Sequence, residues 1–139
     1  MYDLYNKYVL HIKIKKLKAY KLKLKHKWSL WYHEFFNNDW SLSSYKKLYE
    51  FDNIADFWNL YNNHIYLNSG MFFLMKDNIK PIYEDINNQN GGYWSIKVNN
   101  ENIKTIWLNL SLDLIGGSLD KNNIISGLTI SYKKNFYII

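Results

Sequence analysis

The sequence predicts one α+β domain behind a short basic extension. Two stretches space their apolar residues by three and four, the period of a helix; four others alternate or are short and apolar throughout, as strands do. The 139-residue chain is 47% hydrophobic and 19% aromatic, enough for one core and far from the composition of disorder.

Residues 1–19 read as a basic arm that mixes Lys, Tyr and apolar residues without a turn signal. The domain spans 20–139. From Tyr20 to Tyr32 the chain alternates, with Leu22, Leu24, His26, Trp28, Leu30 and Tyr32 on one face and Lys21, Lys23, Lys25 and Lys27 on the other. This predicts a half-buried strand, whose polar face is broken near its end by Trp31. Asp52 or Asn53 caps a helix carrying Ile54, Phe57, Trp58 and Tyr61. Met71 to Met75 is a buried strand, and Lys76-Asp77-Asn78 a turn. Ile86 to Gly92 is an Asn-rich loop, and Tyr93 to Val98 alternates as a strand. Glu101 to Ile115 is the second helix, ended by Gly116-Gly117. It has one apolar stripe of Ile103, Ile106, Trp107, Leu110 and Leu114 and another of Leu108, Leu112 and Ile115, more than a single core-facing stripe requires. Ile124 to Ile139 is a strand region with a bend at Lys133-Lys134-Asn135.

The net charge of +6 is unevenly placed. Residues 1–27 hold nine Lys and one Asp, and the remainder nine Lys and eleven acidic residues. The domain itself is therefore mildly acidic. There is no cysteine, which excludes disulfides and thiolate metal sites and fits a reducing compartment. No apolar run approaches the roughly 20 residues of a membrane span, and the N-terminus lacks the apolar stretch of a signal peptide. His11, His26, His33 and His64 share no metal-ligand spacing and read as ordinary surface or strand residues. No Ser-His-Asp order, phosphate-cradling glycine loop or zinc motif appears. The expectation is a non-enzymatic protein without cofactor or metal.

Trp40 and Tyr83-Glu84 are the candidate functional residues. Each aromatic sits in a polar, turn-prone stretch, Asn37-Asn38-Asp39-Trp40-Ser41 and Pro81-Ile82-Tyr83-Glu84-Asp85. An aromatic there is poorly placed for a core and well placed to stack on a flat ligand. A carboxylate directly after one of them can accept two N–H bonds from that ligand's edge. Two ring faces and one carboxylate suit a positively charged, alkylated guanine.

Several ordered segments resemble the eukaryotic translation initiation factor 4E family of mRNA cap-binding proteins. Trp28-Ser-Leu-Trp31-Tyr is similar to its opening strand, and Asp39-Trp40 falls at its first stacking tryptophan. Phe51 to Asn62 resembles its first helix. Ile79-Lys-Pro81-Ile-Tyr83-Glu84-Asp85 with Gly91-Gly92-Tyr-Trp94 resembles its second stacking loop and the next strand. Ile106-Trp107-Leu108 through Leu114-Ile115-Gly116 resembles its second helix. The resemblance covers about residues 22–139. It implies a curved antiparallel sheet with helices on the convex face and the cap pocket on the concave side. It also implies a third helix, further strands and another pocket-wall tryptophan beyond residue 139, so the chain reads as C-terminally short.

The resemblance implies residue roles. Trp40 and Tyr83 sandwich the base, Tyr83 standing where the family usually has Trp. Glu84 reads the guanine edge, while Asp85 is structural. Trp94 supports the pocket wall from its strand, with core packing as its main work. Lys133, where the family has a phosphate-binding Arg, and Lys134 meet the phosphates. Ile54, Trp58, Leu108 and Leu112 resemble a dorsal patch on which a helical motif of a scaffold or repressor protein docks. Capped mRNA and such a protein are the expected partners of a cytoplasmic monomer that engages no membrane. Two other readings stay open from the residues. One is a degenerate member that sequesters the scaffold or repressor partner without binding cap, and the other is a general single-stranded RNA binder using the N-terminal lysines.

Overall fold

The computed structural model describes residues 22–63 and 67–139. The arm at 1–19, His11 and His64 lie outside the described residues. Six strands, β1 (Lys23–Glu34), β2 (Tyr45–Asn53), β3 (Gly70–Lys76), β4 (Lys97–Asn99), β5 (Gly127–Tyr132) and β6 (Phe136–Ile138), form one curved antiparallel sheet in the order β2-β1-β3-β5-β6-β4. Helices α1 (Ile54–Asn62) and α2 (Ile103–Ile115) cover its convex face. No helix of the described residues is long and apolar enough to cross a membrane.

Alternation along the strands divides the apolar residues between two clusters. Trp28, Leu30, Phe51, Phe72, Leu74, Ile130 and Tyr137 face the helices and pack with Phe57, Ile103, Trp107 and Leu114. On the concave face, Trp31, Tyr45, Phe73 and Met75 form a smaller cluster, joined by Met71, Ile79 and Ile82. Trp31, which interrupts the polar face in the sequence, is the centre of this second layer. Its indole N–H donates to Ser29 Oγ at 2.8 Å, and the Lys47 and Lys80 ammoniums lie 5.3 and 5.5 Å from its ring centre.

Strand β2 is absent from the sequence expectations, and a β-bulge explains why. Leu30 pairs with Tyr49 but Trp31 with Lys47, so Leu48 is an extra residue in β2. Tyr49 and Phe51 face the helices while Tyr45 faces the concave layer. A strand that changes face midway shows no clean period of two.

Several boundaries are corrected. The first strand is described from Lys23, the expected start at Tyr20 lying outside the described residues, and the second helix begins at Ile103 rather than Glu101. The expected strand from Tyr93 to Val98 shrinks to Lys97–Asn99, because at the sheet edge its earlier residues have only the Ile96–Ile139 backbone pair to hold them. The region from Ile124 becomes β5 and β6, with the bend at 133–135 as their hairpin turn.

Asn53 is the N-cap of α1. Its side-chain oxygen accepts from the Asp56 amide at 3.0 Å, and its Nδ2 donates to the Asp56 carboxylate at 2.6 Å. Helix α2 stops where Gly116 N–H donates to Leu112 O at 2.9 Å and Gly117 takes φ 79°, a conformation that favours glycine. The Tyr61 hydroxyl donates to Ser111 Oγ at 2.6 Å, joining the helices.

A buried ion pair anchors the following loop. Lys76 Nζ donates to Asp120 Oδ2 at 3.0 Å and to Asn123 Oδ1 at 3.2 Å, with the paired side chains only 7% and 5% exposed. Burial pushes the Asp120 carboxyl up, but bonds from Lys76 and the Ile124 and Ile125 amides outweigh it and hold it below its ordinary value.

Candidate functional site

The antiparallel pairings bring the end of β1 and the starts of β2 and β3 to one rim of the sheet, together with the end of β5 and the start of β6. The β1–β2 and β5–β6 loops therefore meet at this rim. Trp40 belongs to the first loop and Lys133 and Lys134 to the second.

Trp40 is held from beneath. Its ring lies parallel to the imidazole of His33, with centres 4.4 Å apart and planes within 4°. His33 is fully buried and also meets Tyr45 at 4.7 Å. The Asp39 carbonyl can only accept, so His33 Nε2–H donates to it, at 2.8 Å. The loop adds two short turns: Asp39 N–H donates to Asn37 Oδ1 at 2.9 Å and Ser41 N–H to Asp39 Oδ1 at 2.8 Å. The Ser41 amide holds the Asp39 carboxyl below its ordinary value. Trp40 is 52% exposed, although one face rests on His33.

Sequence reasoning missed the place of His33, which reads there as an ordinary strand residue. The available signal was parity. His33 follows Ser29 and Trp31 on the face opposite Trp28, Leu30 and Tyr32, and lies seven residues before an aromatic in a polar loop.

The loop from 77 to 96 crosses the concave face, anchored by Ile79 and Ile82 in the Trp31 cluster. Asp85 organises it, accepting from the Lys80 amide at 2.8 Å, the Asn87 amide at 3.0 Å and Asn87 Nδ2 at 2.9 Å. Burial raises the Asp85 carboxyl, but these donors prevail and hold it below its ordinary value. Asn88 Nδ2 donates to the Lys80 and Ile82 carbonyls at 2.9 and 2.7 Å. Gln89 Nε2 donates to the Glu84 carbonyl at 2.9 Å. Two residues thus stand out on a braced loop. Tyr83 is 72% exposed, with its hydroxyl 3.4 Å from the Gln89 carbonyl, and the Glu84 side chain is also exposed. Burial, with the nearby Glu84 charge, pushes the Tyr45 hydroxyl up.

Lys133 and Lys134 are exposed on the β5–β6 turn, where Lys133 N–H donates to Phe136 O at 2.7 Å and Lys134 takes φ 60°. Lys23 and Lys27 of β1 differ. Lys23 pairs with Asp52 at 2.9 Å and Lys27 with Glu50 at 2.6 Å, so neighbouring carboxylates balance them. Trp94 corrects the expectation of strand placement and core packing. It lies in the extended stretch before β4 and is 99% exposed, because that stretch has no strand partner and follows two glycines.

On the convex side, Ile54 and Trp58 of α1 and Leu108 and Leu112 of α2 are all half-buried. Trp58 packs edgewise on Phe57 at 5.4 Å, leaving part of its ring in solvent.

An open antiparallel sheet, backed by helices and carrying exposed aromatics in its rim and concave loops, defines an α+β protein with a candidate binding surface. Residues 23–139 match the family model for Eukaryotic initiation factor 4E. The chain belongs to that family. Eukaryotic translation initiation factor 4E1 of Drosophila melanogaster is 37% identical over 125 residues, covering 82% of this chain and 47% of the relative. The Homo sapiens factor 4E is 38% identical over 109 residues, 70% of this chain and 48% of the relative. The chain thus spans about half the length of these curated relatives. Among solved structures, Caenorhabditis elegans eIF4E-3 in complex with the 4E-binding protein Mextli and cap analog superposes with a TM-score of 0.76 at 28% identity, covering 85% of this chain and 71% of that one. Ascaris suum eIF4E-3 with m7G cap gives 0.73 at 32% identity with the same coverage.

Proposed function

We propose that this protein binds the 7-methylguanosine cap of mRNA in translation initiation, as a cytoplasmic binding protein rather than an enzyme. The observation that carries the reading is Trp40, half-exposed with one face seated on buried His33 and the other available to a flat ligand. The methylated base is cationic, and its charge is attracted to an aromatic face. Tyr83 is the second platform, smaller than an indole, and Glu84 accepts from guanine N1–H and the exocyclic amine. Lys133 and Lys134 attract the phosphates as point charges. Trp94, free of the core, is available to the pocket wall. The cap and cap-analog complexes of the two nematode relatives support this reading. On the convex side, Ile54, Trp58, Leu108 and Leu112 receive a helical motif of a scaffold or repressor protein, as the Mextli complex of the C. elegans relative suggests.

The test is tryptophan fluorescence titration with 7-methyl-GTP against GTP at equal ionic strength. Saturable quenching by the methylated form alone is expected. Glu84→Ala should lose most of its affinity for 7-methyl-GTP, since a paired charge-assisted contact to a base edge is worth about 1–3 kcal/mol. Equal weak quenching by both nucleotides would overturn the cap reading and favour a protein that only sequesters its dorsal partner.

A further inference from the structure

Trp40 offers one ring face to a ligand, and its other face lies flat on a group that can itself gain a positive charge. Imidazole is the aromatic side chain that takes up a proton near neutral pH. The His33 ring lies 4.4 Å from the Trp40 ring, centre to centre, with planes within 4°. Trp40 therefore separates a titratable ring from the proposed site of a cationic base.

The seat suits the neutral imidazole. His33 is fully buried. Its Nε2–H is committed to the Asp39 carbonyl at 2.8 Å, so the neutral tautomer keeps its lone pair on Nδ1. Nδ1 is buried and has no hydrogen-bond partner among the described residues. A second proton there creates a donor without an acceptor and a charge out of water, and both are costly. It also sets a cation against the hidden face of Trp40 while the ligand brings another to the open face.

We infer that His33 is a positioning residue that sets the charge preference of the Trp40 platform. A neutral His33 leaves the electron-rich indole face to a cationic base, and a protonated His33 competes for it. The inference rests on the cap reading above, because the competition is felt by a positively charged base. Binding is therefore strong where the imidazole is neutral, at higher pH, and weakens as pH falls through the range in which imidazoles titrate, about 8 to 5. The titratable groups facing His33 are the Asp39 carboxyl on the loop above it and the Tyr45 hydroxyl on β2, with the Glu84 charge acting on Tyr45 from the 77–96 loop. Its β3 partner is Met71, which carries no charge. Asp39 is held below its ordinary value and Tyr45 is pushed above its own, so neither changes charge between pH 8 and 5.

The experiment measures dissociation constants for 7-methyl-GTP from pH 8 to pH 5 on the natural protein and on His33→Phe, which keeps a ring under Trp40 but takes no proton. Protonation of the ligand and of Glu84 affects both proteins alike, so the ratio of the two constants isolates His33. At pH 8 the two should agree within about three-fold, both platforms being intact. At pH 5 the natural protein should bind at least about five-fold more weakly than the variant, the worth of one cation–π attraction. Reciprocity then requires saturating 7-methyl-GTP to lower the midpoint of the His33 ring-carbon NMR titration by about 0.7 pH unit, the logarithm of that factor. The resonance is identified by its absence from His33→Phe. A ratio that stays constant, a His33 resonance that does not move, or a loss of affinity that coincides with loss of the far-ultraviolet circular dichroism signal overturns the inference and leaves the cap reading standing. No binding of 7-methyl-GTP by either protein at pH 8 removes both readings together.

Discussion

Replacing His33 by Ala should loosen the platform under Trp40 and weaken the whole concave layer. The side chain is fully buried, stacked on Trp40 at 4.4 Å, tilted against Tyr45 at 4.7 Å and bonded to the Asp39 carbonyl at 2.8 Å. One net hydrogen bond contributes about 0.5–1.5 kcal/mol. Each ring pair adds about 0.5–1.5 kcal/mol beyond its buried area. The vacated ring volume adds a cavity term, so the expected loss is roughly 3–4 kcal/mol. His33→Phe separates the contributions. It refills the volume and keeps the stack but removes the donor, and the exposed Asp39 loop lets water replace it. That variant should lose only about 1 kcal/mol. Urea unfolding followed by far-ultraviolet circular dichroism measures both. Titration with 7-methyl-GTP should show affinity falling at least about ten-fold in the Ala variant and staying within about three-fold of natural in the Phe variant, as expected for loss or retention of one stacking platform. An Ala variant with unchanged unfolding midpoint, or a Phe variant as damaged as Ala, would refute the supporting role.

Other expectations follow from the same geometry. Asp120→Ala leaves Lys76 buried and unpaired, and should lower stability by about 3–5 kcal/mol, while Lys76→Met with Asp120→Leu should recover most of it in urea melts. Asp85 is held below its ordinary 3.8, so its stabilisation of the loop is complete above that value and is lost as pH falls through the lowered one. The Lys80 and Asn87 amide resonances should therefore stay constant from pH 7 to about 4 and move only below it. Tyr83→Trp should tighten 7-methyl-GTP binding by up to about ten-fold, since indole is the stronger cation partner, and no change would place Tyr83 outside the site.

Helix α2 was legible in the sequence because its buried stripe faces one core, and strand β3 because, buried on both faces, it is apolar without a break. The Asp52–Asn53 cap and the Gly116–Gly117 stop were legible because their chemistry is local. Strand β2 was not, since the Leu48 bulge hands its two halves to opposite faces. Trp94 misled for the opposite reason: alternation in Tyr93 to Val98 looks like a strand, but alternation supplies no neighbour, and within it only Lys97 and Val98 joined β4. Trp40 and Tyr83 were recognisable as loop aromatics. What held Trp40 was not, because the stack on His33 depends on a turn bringing back a residue seven positions later.

The bulge also bears on how this fold tolerates change in length. Edge strands ordinarily accept small insertions and deletions, having one neighbour to satisfy. Deleting Leu48 would remove the extra residue and leave Tyr45 opposite His33 and Tyr49 opposite Leu30, each still on its own face. The strand thus holds one residue in reserve, and a lineage that lost it would keep both its sheet and the floor of its aromatic site.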